Sequence, residues 1–108
     1  MEKKRNNNEV AVNPALQRAS PVYKNLAYWA KNYGQGGNMP DQKAVEVFME
    51  CETHEVVSGL RAELYGVSQG NFRPDFMDAN VGKARSLRHG NYQAWARLML
   101  LWMAGYKR

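Results

Sequence analysis

The last helix-sized segment of the chain constrains its fold more than any other feature. Residues 91–106 read NYQAWARLMLLWMAGY, and the seven residues from Leu98 to Ala104 are all apolar. A helix that is apolar on nearly every side belongs in the middle of a helical protein or at an interface between subunits. A membrane span needs about 20 apolar residues, so this run is too short to cross a bilayer. The segment predicts a compact helical protein organised around its C-terminal helix.

The composition fits a single folded domain with an adaptable core. A chain of 108 residues is long enough for one hydrophobic core, and six Met, three Trp and six Tyr supply much of its apolar area in place of isoleucine, which is absent. The only cysteine, Cys51, excludes an intramolecular disulfide, and the N-terminal segment has no apolar signal region. We therefore expect a protein of the reducing cytoplasm.

Hydrophobic periodicity and capping residues predict four helices, and no segment shows the alternation of a strand. The predicted helices lie near residues 20–33, 41–65, 75–88 and 91–104. Short connections favour antiparallel neighbours, so the predicted fold is all-α, a four-helix up-and-down bundle. We predict that residues 1–19, which include a basic cluster, form a flexible tail and that residues 20–108 form one helical domain.

The second predicted helix carries two acidic residues on its apolar face. At 100° per residue, Glu52 and Glu63 fall among the apolar side chains, and Gly59 lies there too, where a missing side chain lets another helix approach closely. A buried carboxylate must be paired, hydrogen-bonded or protonated. We therefore predict that Glu52 and Glu63 are buried charges, and that Glu52 pairs with Arg88, Arg85 or a tyrosine hydroxyl.

Few residues have a spacing suited to metal binding or catalysis. Cys51, His54 and Glu55 share one helical turn, but structural zinc requires four ligands and the only other histidine is His89. We predict no metal and no cofactor. The sequence favours a protein without catalytic activity. If it is an enzyme, the candidate catalytic residues are Glu52 and His89.

The net charge of +5 is unevenly distributed along the chain. Residues 1–40 and 66–108 are basic, whereas residues 41–65 are acidic. These charges can meet within the folded chain, or the basic residues can present a surface to an acidic partner. The residues that could contact nucleic-acid phosphates are Arg73, Lys83, Arg85, Arg88 and Arg97.

These observations are compatible with three functions. We favour a protein-interaction module that self-associates as a homodimer through Leu98, Leu101 and Trp102, because the last helix has more apolar surface than a small bundle covers. The alternative is a basic helical module that binds nucleic acid non-specifically through phosphate contacts. The third is a small enzyme that uses Glu52. None of the three involves a membrane.

Overall fold

The computed structural model describes residues 23–35 and 39–106, and every regular element in these ranges is helical, which confirms the all-α prediction for them. The elements are α1 (Lys24–Trp29), a π-helical turn (Ala30–Gly34), α2 (Asp41–Cys51), α3 (His54–Ser68), α4 (Pro74–Asn80), α5 (Lys83–His89) and α6 (Tyr92–Gly105). The predicted tail at residues 1–19 lies outside the described residues. No helix among those described is long and apolar enough to cross a membrane.

The helix predicted at 41–65 is two helices, because the chain becomes extended at Glu52 and Thr53. Thr53 is the N-cap of α3, and its side-chain oxygen accepts a hydrogen bond from the backbone N–H of Val56 at 3.2 Å. Threonine is a favoured N-cap, since its hydroxyl satisfies a backbone donor that a helix start leaves free. The apolar periodicity continues through the break, so it did not reveal the interruption.

The helix predicted at 75–88 is also interrupted, at Gly82. This glycine has a φ of 100°, a conformation that L side chains rarely adopt. Its backbone N–H donates to the carbonyl oxygen of Met77 at 2.9 Å, which satisfies one of the carbonyl groups that the end of α4 leaves without a helical partner. The predicted start of the last helix is close to the observed one, and Asn91 caps it by accepting from the N–H of Ala94 at 2.7 Å.

The core is built around α6, which packs against α2, α3 and α5. The indole rings of Trp29 and Trp95 are fully buried and lie 5.9 Å apart between their centroids. The buried side of α6 comprises Tyr92, Trp95, Ala96, Met99 and Met103. The opposite side of the helix is solvent-facing, so α6 is central to the core without being enclosed by it.

Helix α3 meets the N-terminal part of α1 through two glycines. A Cβ atom added to Gly59 would overlap with the side-chain amide of Asn25, and one added to Gly66 would overlap with the hydroxyl of Tyr23. The prediction that Gly59 permits a close approach is therefore correct. This packing brings Tyr23 within hydrogen-bonding distance of the carbonyl oxygen of Asn71, beyond the end of α3.

Candidate interaction surface

The solvent-facing side of α6 carries an uninterrupted row of apolar and small residues. We call this row the outer stripe; it consists of Ala94, Leu98, Leu101 and Gly105. At 100° per residue these positions fall within one narrow arc, opposite the buried Met99 and Met103. Leu101 is 66% exposed.

The three predicted interface residues lie on or beside the outer stripe. Leu98 and Leu101 belong to it, and Trp102, which is half-buried, lies one residue further along the helix. The only charged residue of α6 is Arg97. The solvent-facing side of α6 is therefore apolar over its whole length, with a single charge at its edge.

Two shallow clefts adjoin the outer stripe. One, of about 510 Å³, is lined by Ala94, Leu98 and Leu101 of the stripe together with His89 and Arg97. The other is the groove between α3 and α6, whose lining is mainly apolar and includes Arg61, Tyr65, Leu100 and Ala104. The apolar surface thus extends from α6 onto α3.

Arg85, predicted as a nucleic-acid contact and as a partner of Glu52, is turned into the protein. Its guanidinium donates to the carboxylate of Asp41 and to the carbonyl oxygens of Gly34 and Val81. It also lies over the ring of Trp29, 5.4 Å from the centroid. These contacts make Arg85 part of the core rather than of a basic surface.

The five basic candidates do not all lie on one surface. Arg73 is paired with Asp75 at 2.9 Å, and the Lys83 ammonium lies 3.9 Å from the carboxylate of Asp78. Arg88 lines the same cleft as Arg85, next to Met39 and Pro40. Arg97 lies beside the outer stripe, where it donates to the carbonyl oxygen of Ser68 at 3.5 Å. The predicted phosphate contacts are therefore distributed over several parts of the molecule.

Glu52 is half-buried at the junction of α2 and α3. Its carboxylate accepts hydrogen bonds from the hydroxyls of Tyr28, at 2.8 Å, and Tyr33. A tyrosine hydroxyl was one of the partners predicted for Glu52, and the structure shows two such hydroxyls bonded to it. The pKa of Tyr33 is raised, mainly by its hydrogen bond to the Glu52 carboxylate and to a lesser extent by burial. A hydrogen bond to the same carboxylate raises the pKa of Tyr28. The carboxylate thus keeps both phenols protonated.

Glu63, the second predicted buried acid, is also half-buried and caps α1 from α3. One carboxylate oxygen accepts from the backbone N–H of Leu26 at 2.8 Å. The other accepts from the side-chain amide of Asn25 at 2.7 Å and from its backbone N–H at 3.3 Å. A carboxylate at the first turn of a helix satisfies free N–H groups and interacts favourably with the helix dipole.

The remaining catalytic and metal candidates are dispersed. His89 is half-buried at the end of α5 and lines the cleft beside the outer stripe. Cys51, His54 and Glu55 are all exposed. Within residues 23–35 and 39–106, no three metal-ligating side chains form a group.

Comparisons of the chain with protein-family models, with curated proteins and with solved structures found no match. The feature with the strongest chemical character is the outer stripe, because apolar side chains on a helix that is otherwise built into the core face solvent there.

Proposed function

We propose that the protein is a small helical module that self-associates through the outer stripe of α6. The observation that carries this proposal is the internal symmetry of the stripe. Its residues are spaced by four, three and four positions, and small residues at both ends enclose two central leucines. Spacings of four and three are those of a helix that packs along one side against a second helix.

The symmetry of the stripe favours an antiparallel partner of the same sequence. When two copies of α6 pair about a two-fold axis between residues 99 and 100, Leu98 of each copy faces Leu101 of the other. Ala94 then faces Gly105 at both ends. Large side chains meet in the middle and small ones allow close approach at the ends, so one patch is complementary to itself, as a two-fold interface requires.

The area that such a dimer needs requires a contribution from the adjoining clefts. Helix α6 has 14 residues, which corresponds to a length of about 21 Å. A specific interface buries about 600–1,000 Å² per copy. The stripe alone is smaller than this. We therefore include the groove at Tyr65 and Leu100 in the interface.

We also propose the up-and-down bundle predicted from the sequence, in which α2–α3 and α4–α5 each form one interrupted helical segment. Cys51 is an exposed free thiol, which fits a cytoplasmic location. An enzymatic role for Glu52 is not included, because its carboxylate accepts hydrogen bonds from two tyrosines.

Light scattering during size-exclusion chromatography tests the proposal. We expect a dimer at micromolar concentration, shifted towards monomer by Leu98→Glu or Leu101→Glu and little affected by salt. The matched control is Leu87→Glu, which introduces the same charge at a leucine that is 82% exposed on α5, outside the stripe. A wild-type protein that stays monomeric, or a control variant that dissociates as much as the stripe variants, would contradict the proposal.

A further inference from the structure

A second surface, formed mainly by α1 and the π turn, differs in chemical character from the outer stripe of α6. A cleft of about 660 Å³ lies along α1 and the π turn and reaches the end of α4. Its lining is polar or basic apart from one alanine and contains no acidic residue. The side chains that define it are those of Lys24, Tyr28, Lys31, Asn32, Gln35 and Asn80.

The two lysines lie on either side of the tyrosine. Lys24 and Lys31 are seven residues apart, which places them on one side of the helix about 10 Å apart along its axis. Both are exposed, and no carboxylate of the described residues forms an ion pair with either. This distinguishes them from Arg73 and Lys83, which have acidic partners.

The ring of Tyr28 is fixed in position although it is 43% exposed. Its hydroxyl donates to Glu52 at 2.8 Å. The ring also makes edge contacts with Tyr33 and Phe48, each with 6.3 Å between centroids. A half-exposed aromatic ring with restricted motion is a suitable platform for stacking, because little conformational freedom is lost when a ligand binds.

The backbone beside this ring adopts a rare conformation. Ala30–Gly34 is a π-helical turn, and such turns occur frequently at functional sites. The turn contains Lys31 and Asn32, and Gln35 follows it directly, so three of the residues that line the cleft are placed by it. The side-chain amide of Asn32 donates to the carbonyl oxygen of Tyr28 at 2.9 Å, which connects the turn to the platform.

We propose that this cleft binds a segment of single-stranded nucleic acid. One base stacks on Tyr28, and the phosphates on its two sides contact Lys24 and Lys31. Aromatic stacking combined with basic side chains along the backbone is the usual means of binding single strands without sequence preference. A free mononucleotide carries phosphate on one side of the base only, so the two separated lysines favour a strand.

The site is independent of self-association and differs from the basic residues predicted from sequence. Lys24 and Lys31 lie on the polar side of α1, which by itself indicates only a solvated helix face. The half-exposed ring between them and the π turn beside them give that face its binding character.

Fluorescence anisotropy with a labelled oligothymidine tests the inference on the full chain. We expect binding that weakens with salt, and a loss of about tenfold or more in affinity for the variant with Lys24→Glu and Lys31→Glu. The salt slope of that variant should fall by about 1.4, since each phosphate contact on a single strand contributes about 0.7. The matched control carries Lys43→Glu and Arg88→Glu, the same change in net charge at two exposed positions of α2 and α5.

A pair of substitutions at Tyr28 separates stacking from structure. Tyr28→Phe and Tyr28→Leu both remove the hydrogen bond to Glu52, but only phenylalanine keeps the ring. We expect Tyr28→Phe, whose ring keeps the edge contacts with Tyr33 and Phe48, to bind nearly as well as the wild type. Tyr28→Leu should bind at least about fivefold more weakly. Equal binding by these two variants, equal weakening by the charge control, or thymidine monophosphate that competes as well as the oligonucleotide would each overturn the inference.

Discussion

Arg85 donates through Nε to both carboxylate oxygens of Asp41, at 3.0 and 2.9 Å, across 44 positions of the chain. Both side chains are largely buried, with exposed fractions of 15% and 8%. The indole N–H of Trp95 donates to the same carboxylate at 2.8 Å. Because Arg85 also contacts the carbonyl oxygen of Gly34, one ion pair joins α2, α5, α6 and the π turn.

Removing Arg85 should therefore destabilise the whole fold. We expect Arg85→Ala to lower the free energy of unfolding by about 3–5 kcal/mol, because Asp41 would remain buried without its cation. Urea denaturation followed by circular dichroism measures this. The matched control is Arg73→Ala: its ion pair with Asp75 is 60% and 70% exposed, and such a pair contributes about 0–1 kcal/mol. Equal effects of the two substitutions would show that the Arg85 pair is not structural.

Neutralising Glu52 should have a smaller but specific effect. Glu52→Gln replaces a charged acceptor of two tyrosine hydroxyls by a neutral one, and hydrogen bonds to charged groups contribute about 1.5–3 kcal/mol. We expect a loss of stability of about 1–3 kcal/mol in the same denaturation experiment. Glu50→Gln makes the same change at an exposed position of α2 and should be close to neutral. If the two variants unfold alike, the junction of α2 and α3 does not depend on these bonds.

Stability should fall in alkaline solution. Hydrogen bonding to Glu52 raises the pKa of Tyr33 above its usual 10.0, and burial, together with the bond to Asp78, raises that of Tyr92. Above pH 10.0 the unfolded chain loses protons that the folded protein retains, so the free energy of unfolding decreases as the pH rises. The decrease is at most about 1.4 kcal/mol per pH unit for each tyrosine.

Phenylalanine substitutions assign this alkaline loss to particular residues. Urea denaturation below and above pH 10.0 should give a shallower decrease for Tyr33→Phe and for Tyr92→Phe than for the wild type. A wild-type stability that is constant above pH 10.0 would contradict the assignment.

The antiparallel arrangement of the proposed dimer can be tested by disulfide formation. In a Cys51→Ser background, Ala94→Cys and Gly105→Cys are prepared as separate proteins and oxidised alone and as a mixture. Residues 94 of two antiparallel copies lie about 16 Å apart along the axis, whereas a disulfide requires Cα atoms closer than about 7 Å. We expect cross-linked dimer from the mixture only. There is space for the new side chain at Gly105, since no atom lies within 4 Å of an added Cβ.

The pattern of cross-links also separates the arrangement from self-association itself. Cross-linking of each variant with itself, and none between them, would indicate a parallel dimer and contradict the proposed orientation. Light scattering on the unoxidised proteins shows independently whether a dimer is present.

Capping residues and periodicity predicted much of the local structure. Asn91 was expected to start the last helix, and it caps α6. Periodicity could not reveal that α2 and α3 are separate, because apolar residues keep their spacing across Glu52 and Thr53. Gly82 was equally difficult, since a single glycine in a helical pattern is compatible with either a continuous helix or a break.

The candidate site could be predicted only where it depends on one helix. The solvent-facing leucines of α6 follow from its sequence alone. The pairing of Arg85 with Asp41 does not, because the sequence indicated Asp41 only as a possible helix start and Arg85 as a nucleic-acid contact or a partner of Glu52. Lys24, Tyr28 and Lys31 were not among the candidate site residues, because the π turn that contains Lys31 has no recognisable signature in the sequence.

The capping of α1 by Glu63 has a consequence for the order in which the protein folds. A helix of six residues is not stable by itself in water, and the N–H groups of its first turn depend on a carboxylate 37 positions later in the chain. Helix α1 can therefore form only after α3 is in place. In native-state hydrogen exchange, the amides of α1 should open before those of α3 and α6, which makes α1 the last of these three helices to assemble and the first to be released.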